Sequence, residues 1–133
     1  MSLQRVRHIS IGIERPLAAV AGFLGDPANF SKWASGLGDS FHHVAGTDWR
    51  VETPMGQMTV RFTAPNDHGI ADHTLIPDHG AAMYNPLRVV RNGTASEVTF
   101  TLFRRPGMSE ADFDRDADWV AKDLAALKTL LEG

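Results

Sequence analysis

From His8 to Ile13 apolar and polar positions alternate, with Ile9, Ile11 and Ile13 on one side and His8, Ser10 and Gly12 on the other, the period of a half-buried strand. The period then changes. Pro16 suits the first turn of a helix, where a missing N–H leaves nothing unpaired, and Leu17, Val20, Ala21 and Leu24 recur at helical spacing as far as Gly25. Asp26-Pro27 restarts the chain with a cap followed by proline. Phe30, Trp33 and Ala34 supply the apolar side of a second short helix, which Gly36 and Gly38 stop.

Strand-like stretches follow at Phe41 to Ala45, Trp49 to Thr53, Gln57 to Ala64 and Gly69 to Ile76, separated by turn sequences such as Pro54-Met55-Gly56 and Asp78-His79-Gly80. Ala81 to Arg91 and Ser96 to Arg105 are two more, joined across Asn92-Gly93, a strong hairpin signal. Alternation is clearest at Met58, Val60 and Phe62 and at Val98, Phe100 and Leu102, so each of these strands has one covered face. Pro86 within the Ala81 to Arg91 stretch signals an edge or a bulge.

The last element is the most sharply specified, a helix over Ser109 to Glu132. Ser109 is its N-cap, with Asp112 three residues on and Met108 placed to staple against Phe113. Phe113, Ala117, Val120, Leu124, Leu127 and Leu131 form one stripe at helical spacing. Only a sheet built from the preceding strands offers enough apolar surface to cover that stripe. The predicted architecture is therefore α+β: a curved antiparallel sheet of about seven strands wrapped around a long C-terminal helix, with two short helices after strand one.

Bulk properties narrow the picture. A chain of 133 residues with 43% hydrophobic and 22% charged residues is expected to form one domain over 1–133, with neither disorder nor fibrous repeat. A formal charge of -3 provides no positive field for nucleic acid. With no cysteine there is no disulfide framework and no thiolate metal cage, which suits a cytoplasmic protein. The segment from Met1 to Arg7 lacks the apolar centre of a signal peptide, and no apolar run reaches the ~18 residues of a membrane span.

The run from Ile9 through Glu14-Arg15-Pro16 into Val20 and Phe23, followed by Leu24 to Trp33, resembles the opening strand and helix pair of the START-like (SRPBCC) superfamily. This is the helix-grip fold of birch-pollen-allergen and polyketide-cyclase relatives. The closing Phe100 to Met108 strand and helix entry are similar too, and the resemblance spans nearly the whole chain. It implies a cavity between sheet and helix for an apolar or amphipathic small molecule. It does not imply a reaction, because the superfamily mixes lipid carriers, cyclases, dehydratases and co-chaperones.

Candidate chemistry is sparse. Six histidines invite a metal hypothesis, but His68 and His79 sit in Asp-His-Gly turns and the separations match no compact zinc signature, so neither metal nor cofactor is predicted. Asp72-His73 lies within a strand, where only one of the two side chains faces inward, and an inward His73 is a candidate ligand or proton-transfer group. Tyr84 and Asn85 point in alternate directions, Asn85 being the better pocket residue. Arg88 has two readings, a ligand carboxylate or a surface aspartate. Trp33 and Trp119 are amphipathic residues placed to line the margin of a cavity. Phe113, Val120 and Leu124, opposite Phe100 and Leu102, form its expected floor.

The predicted ligand-binding set is therefore Trp33, His73, Asn85, Phe100, Trp119 and Val120. The acidic positions Glu110, Asp112, Asp114, Asp116 and Asp118 complement the helix dipole, with Asp116 expected to be partly buried. Nucleophile elbow, Walker loop and dinucleotide fingerprint are missing. Three functions follow: binding of a hydrophobic or amphipathic small molecule, a cyclase or dehydratase using His73 or Tyr84, and a protein-interaction module or homodimer that uses an exposed apolar patch.

Overall fold

The computed structural model describes residues 2–37 and 40–133, so the predicted stop at Gly38 lies outside the described residues. The chain runs β1 (Val6–Ile13), α1 (Leu17–Gly25), a single 3-10 turn (Pro27–Asn29), α2 (Phe30–Trp33), β2 (His42–Ala45), β3 (Asp48–Thr53), β4 (Gly56–Phe62) and β5 (His73–Pro77). It closes with β6 (Met83–Asn85), β7 (Leu87–Asn92), β8 (Ala95–Phe103) and α3 (Glu110–Glu132). The Asp26 carboxylate accepts from the Ala28 N–H at 3.0 Å to start the 3-10 turn. Ser109 caps α3 by accepting from the Asp112 N–H at 3.0 Å. Both caps fall where the residue types place them.

All strand pairs are antiparallel, in the orders β1-β8-β7 and β2-β3-β4-β5-β6. The break between these two groups has one cause. His73↔Asn85 in the β5–β6 ladder and the isolated bridge Ile70↔Arg88 share a single register, so residues 69–75 and 83–89 are one long ladder interrupted where Asp72 meets Pro86. Pairing resumes beyond it, with the Ala71 N–H donating to Leu87 C=O at 2.8 Å and the Val89 N–H to Gly69 C=O at 2.9 Å. The stretch predicted as one strand from Ala81 to Arg91 is thus two strands, and the sheet has eight rather than about seven.

Pro86 also acts on its other side. Thr101 N–H donates to Pro86 C=O at 3.0 Å, but proline has no N–H to return the bond, and this is the last rung between the β6–β7 segment and β8. Past that point β6 pairs with β5 alone, while the end of β8 pairs with β1 as far as Val6↔Phe103. The sheet opens along that seam.

The concave face carries the core. β8 alternates strictly, burying Ser96, Val98, Phe100 and Leu102. Helix α3 buries Phe113, Ala117, Leu124 and Leu127, with Val120 and Leu131 half-buried beside them. Its principal strand neighbour is β1, whose outer edge it seals. The Lys128 ammonium donates to Gly12 C=O at 2.7 Å, and the Glu14 N–H donates to Glu132 Oε2 at 2.8 Å. Arg7 bonds Asp114 and sets its guanidinium 4.7 Å from the Phe113 ring centroid. An exposed strand edge is a site of unwanted pairing, and these side chains occupy this one.

Candidate functional site

Alternation along the strand sends Asp72 to the convex face and His73 to the concave one. His73 is 5% exposed and ringed by aromatics, its centroid 4.8 Å from Phe30, 6.1 Å from Phe100 and 6.2 Å from Phe62. Burial pushes its pKa down to about 4, against a smaller opposing pull from Asp72, so the imidazole is neutral at physiological pH. The Asn85 amide nitrogen lies 3.4 Å from His73 Nε2, and Nδ1 has no hydrogen-bond partner. With Nε2 as the acceptor of the amide, the ring proton sits on Nδ1, a tautomer assigned from that contact. An unpaired buried donor costs about 1–3 kcal/mol.

On the opposite face Asp72 gathers a polar cluster. Its carboxylate accepts from Tyr84 Oη at 2.8 Å, from the Leu87 N–H at 2.9 Å, and from Arg88 Nε and Nη2 at 2.8 Å each. Burial alone raises a carboxyl pKa, but the bonds from Arg88, Leu87 and Tyr84 outweigh it and hold Asp72 below the usual range. The same bond to Asp72 raises the Tyr84 phenol. The cluster is structural: it takes up the Leu87 N–H that a regular ladder gives to residue 71, and so repairs the interruption at Pro86. Arg88 is bound to an aspartate, as in the second of its two readings, but that aspartate is buried and not on the surface.

The opened seam forms a groove of about 760 Å³. Its walls are largely apolar, built by Met55 from the β3–β4 turn, Ala81 and Ala82 from the β5–β6 turn, Met83 from β6, Phe103 from the end of β8 and Pro106 from the β8–α3 connection. Tyr84 stacks on Phe103 across the seam, centroids 6.2 Å apart and planes 24° from parallel. Gln4, His79, Asn85 and Arg105 supply polar groups to the same groove. Asn85 therefore has the groove beside it and His73 behind it. Its volume lies within the ~300–1,000 Å³ common for small-molecule sites.

A second cleft of about 520 Å³ separates α2 from α3 and is bordered by Trp33, Trp119, Ser35 and Asp123. Trp33 is 6% exposed and packs edge-on against Phe30, whereas Trp119 is 49% exposed. Ser35 Oγ donates to Asp123 Oδ1 at 2.6 Å, tying the end of α2 to the long helix. Burial raises the Asp123 carboxyl against the opposing bonds from Ser35. A void of about 20 Å³ between α1 and β4 holds one water at most.

The six predicted site residues fall into three overlapping groups. His73, Asn85 and Phe100 come together. Trp33 and Trp119 share the α2–α3 cleft instead. Phe100 and Val120 belong to the packed core and border neither cleft, so the expected floor of Phe113, Val120 and Leu124 is filled by side chains. Sequence reasoning passed over Met83, Phe103 and Arg105. The signal for them was Pro86, whose lost N–H marks where the strands part.

No protein-family model matches the sequence, and no curated protein is detectably similar to it. Solved structures do share its fold. An uncharacterized protein from Bacillus thuringiensis superposes with a TM-score of 0.77 at 14% identity, over 97% of this chain and 100% of that one. The Aha1 dimer from Colwellia psychrerythraea gives 0.73 at 15%, over 96% of each chain. DynU16, a protein of the dynemicin biosynthetic locus, gives 0.71 at 14%, over 96% of this chain and 47% of its own. Together they show an antiparallel sheet closed by a C-terminal helix, an arrangement consistent with the helix-grip fold.

Proposed function

We propose that the protein binds a hydrophobic or amphipathic small molecule in the seam groove, with Asn85 as its inner polar contact. One observation carries the reading: an apolar channel opens where Pro86 ends the ladder, and its lining includes half-buried Asn85, whose amide lies 3.4 Å from the buried His73 ring. Ligand sites combine this kind of apolar wall with a few placed polar groups. DynU16 belongs to a biosynthetic locus, which agrees with small-molecule recognition on this fold.

The cyclase or dehydratase reading has less support. His73 faces inward but does not border the groove, and the Tyr84 hydroxyl is committed to Asp72 on the other face. Two groups that cannot reach one substrate atom cannot share a proton-transfer step.

The test is an amide chemical-shift titration with octan-1-ol as the probe. Perturbations are expected at Met83, Asn85 and Phe103, and Ala82→Trp should abolish them by filling the channel. Perturbations centred on Trp33 and Trp119 instead, or none at saturating octanol, would sink the proposal.

A further inference from the structure

The polar end of the groove carries a cation with little to neutralise it. Arg105 is 39% exposed at its side chain, and its nearest carboxylate, Asp116, lies 3.9 Å away, beyond hydrogen-bond distance. Most other arginines are engaged, though Arg15 donates only to the Leu131 carbonyl. Arg5, Arg7, Arg50, Arg61, Arg88 and Arg115 each donate to a carboxylate at 3.0 Å or less. Arg104 donates to both Glu110 and the Met108 carbonyl. Among the described residues, Arg105 is the arginine that borders the apolar channel, and it makes no hydrogen bond to a carboxylate.

The groove offers those donors no anion of its own. Its border holds no aspartate and no glutamate. Asp116 sits outside that border, on α3, 3.9 Å from Arg105; burial raises its carboxyl against the opposing pull of the Arg105 charge. An apolar wall ending in a planar cation that holds only one distant carboxylate selects a molecule with the complementary distribution.

We propose that the groove takes an apolar monocarboxylic acid, its hydrocarbon body along Met55, Ala82, Met83 and Phe103 and its carboxylate on Arg105. The guanidinium fork matches a carboxylate through two parallel N–H···O bonds. A phosphate monoester is the poorer fit, because Arg105 is the only lysine or arginine on the border and no helix N-terminus opens onto it. The inference rests on the seam groove being the binding site and adds the chemical class of the ligand.

Calorimetric titration with sodium octanoate and with octan-1-ol, in the same buffer near neutral pH, separates the two claims. The acid is expected to bind about tenfold tighter than the alcohol, the size of one partly exposed charge-assisted contact. Arg105→Gln should bring the two within twofold by weakening the acid. Arg91→Gln, at an exposed arginine far along β7, should preserve the preference. Equal affinity for acid and alcohol in the unaltered protein, or a preference that survives Arg105→Gln, overturns the carboxylate assignment and leaves the groove standing. Binding of neither probe removes the groove itself.

Discussion

The two halves of the sheet meet α3 differently. In the β1-β8-β7 half, alternation is strict, Val98, Phe100 and Leu102 sit under Phe113, Leu124 and Leu127 in one cluster, and the β1 edge is sealed by Lys128 and Glu132. In the β5–β6 half the inward residues Leu75, Met83 and Asn85 stay half-buried, and the strand beyond Pro86 has no partner toward β8. The first half carries the stability and the second carries the opening. A proline that weakens the ladder does little harm at β6, because the closed half supplies the burial that holds the fold.

That contrast can be broken most forcefully in the closed half. Leu124 is 1% exposed, and Leu124→Ala should lower unfolding free energy by about 3 kcal/mol, measured by urea titration. Met83→Ala, in the open half, should cost under about 1 kcal/mol while weakening octanol binding severalfold. Equal losses of stability at both sites would mean that the two halves are not energetically distinct.

The next effect is set by pH. His73 has a pKa lowered to about 4 in the folded chain against 6.5 as the ordinary value, so between those limits the unfolded chain binds more protons. Stability is then fully present above pH 6.5 and falls as the solution is acidified toward pH 4. The total is roughly 3 kcal/mol at 1.36 kcal/mol per unit. His73→Phe should flatten this part of the curve, as read from unfolding midpoints at a series of pH values. An unchanged slope in the variant would show that the imidazole is not held neutral.

A smaller effect tests a local rule. Ser109→Ala removes the acceptor for the Asp112 N–H and should cost about 1 kcal/mol, seen as a lower midpoint with an unchanged denaturant slope. The groove should not notice it, since octanol affinity depends on the β6–β8 seam. A change in affinity would couple the start of α3 to the opening.

Much of this architecture was legible because it depends on neighbours in sequence. Periodicities of two and of 3.6, the Asp26 and Ser109 caps, and the Asn92-Gly93 turn are local preferences, and the structure places strands, helices and hairpin where those preferences fall. Even His73 was half-readable: parity within a strand dictates that Asp72 and His73 face opposite sides. It does not dictate which side is inside. That followed from register, which sets Phe62 opposite His73 on the face already bearing Val60 and Met58.

By itself, then, the sequence determined an antiparallel sheet with an amphipathic closing helix, because backbone geometry and side-chain period are properties of short segments. Only the tertiary structure decided where that sheet opens. Pro86 is visible in the sequence, but its effect depends on which neighbour its missing N–H faces, and only the pairing with Thr101 answers that. Arg88 and Arg105 are likewise the same residue type on the page. The fold sets Asp72 against one and leaves the other beside an apolar channel, because opposite charges pair by distance in space and not by spacing along the chain.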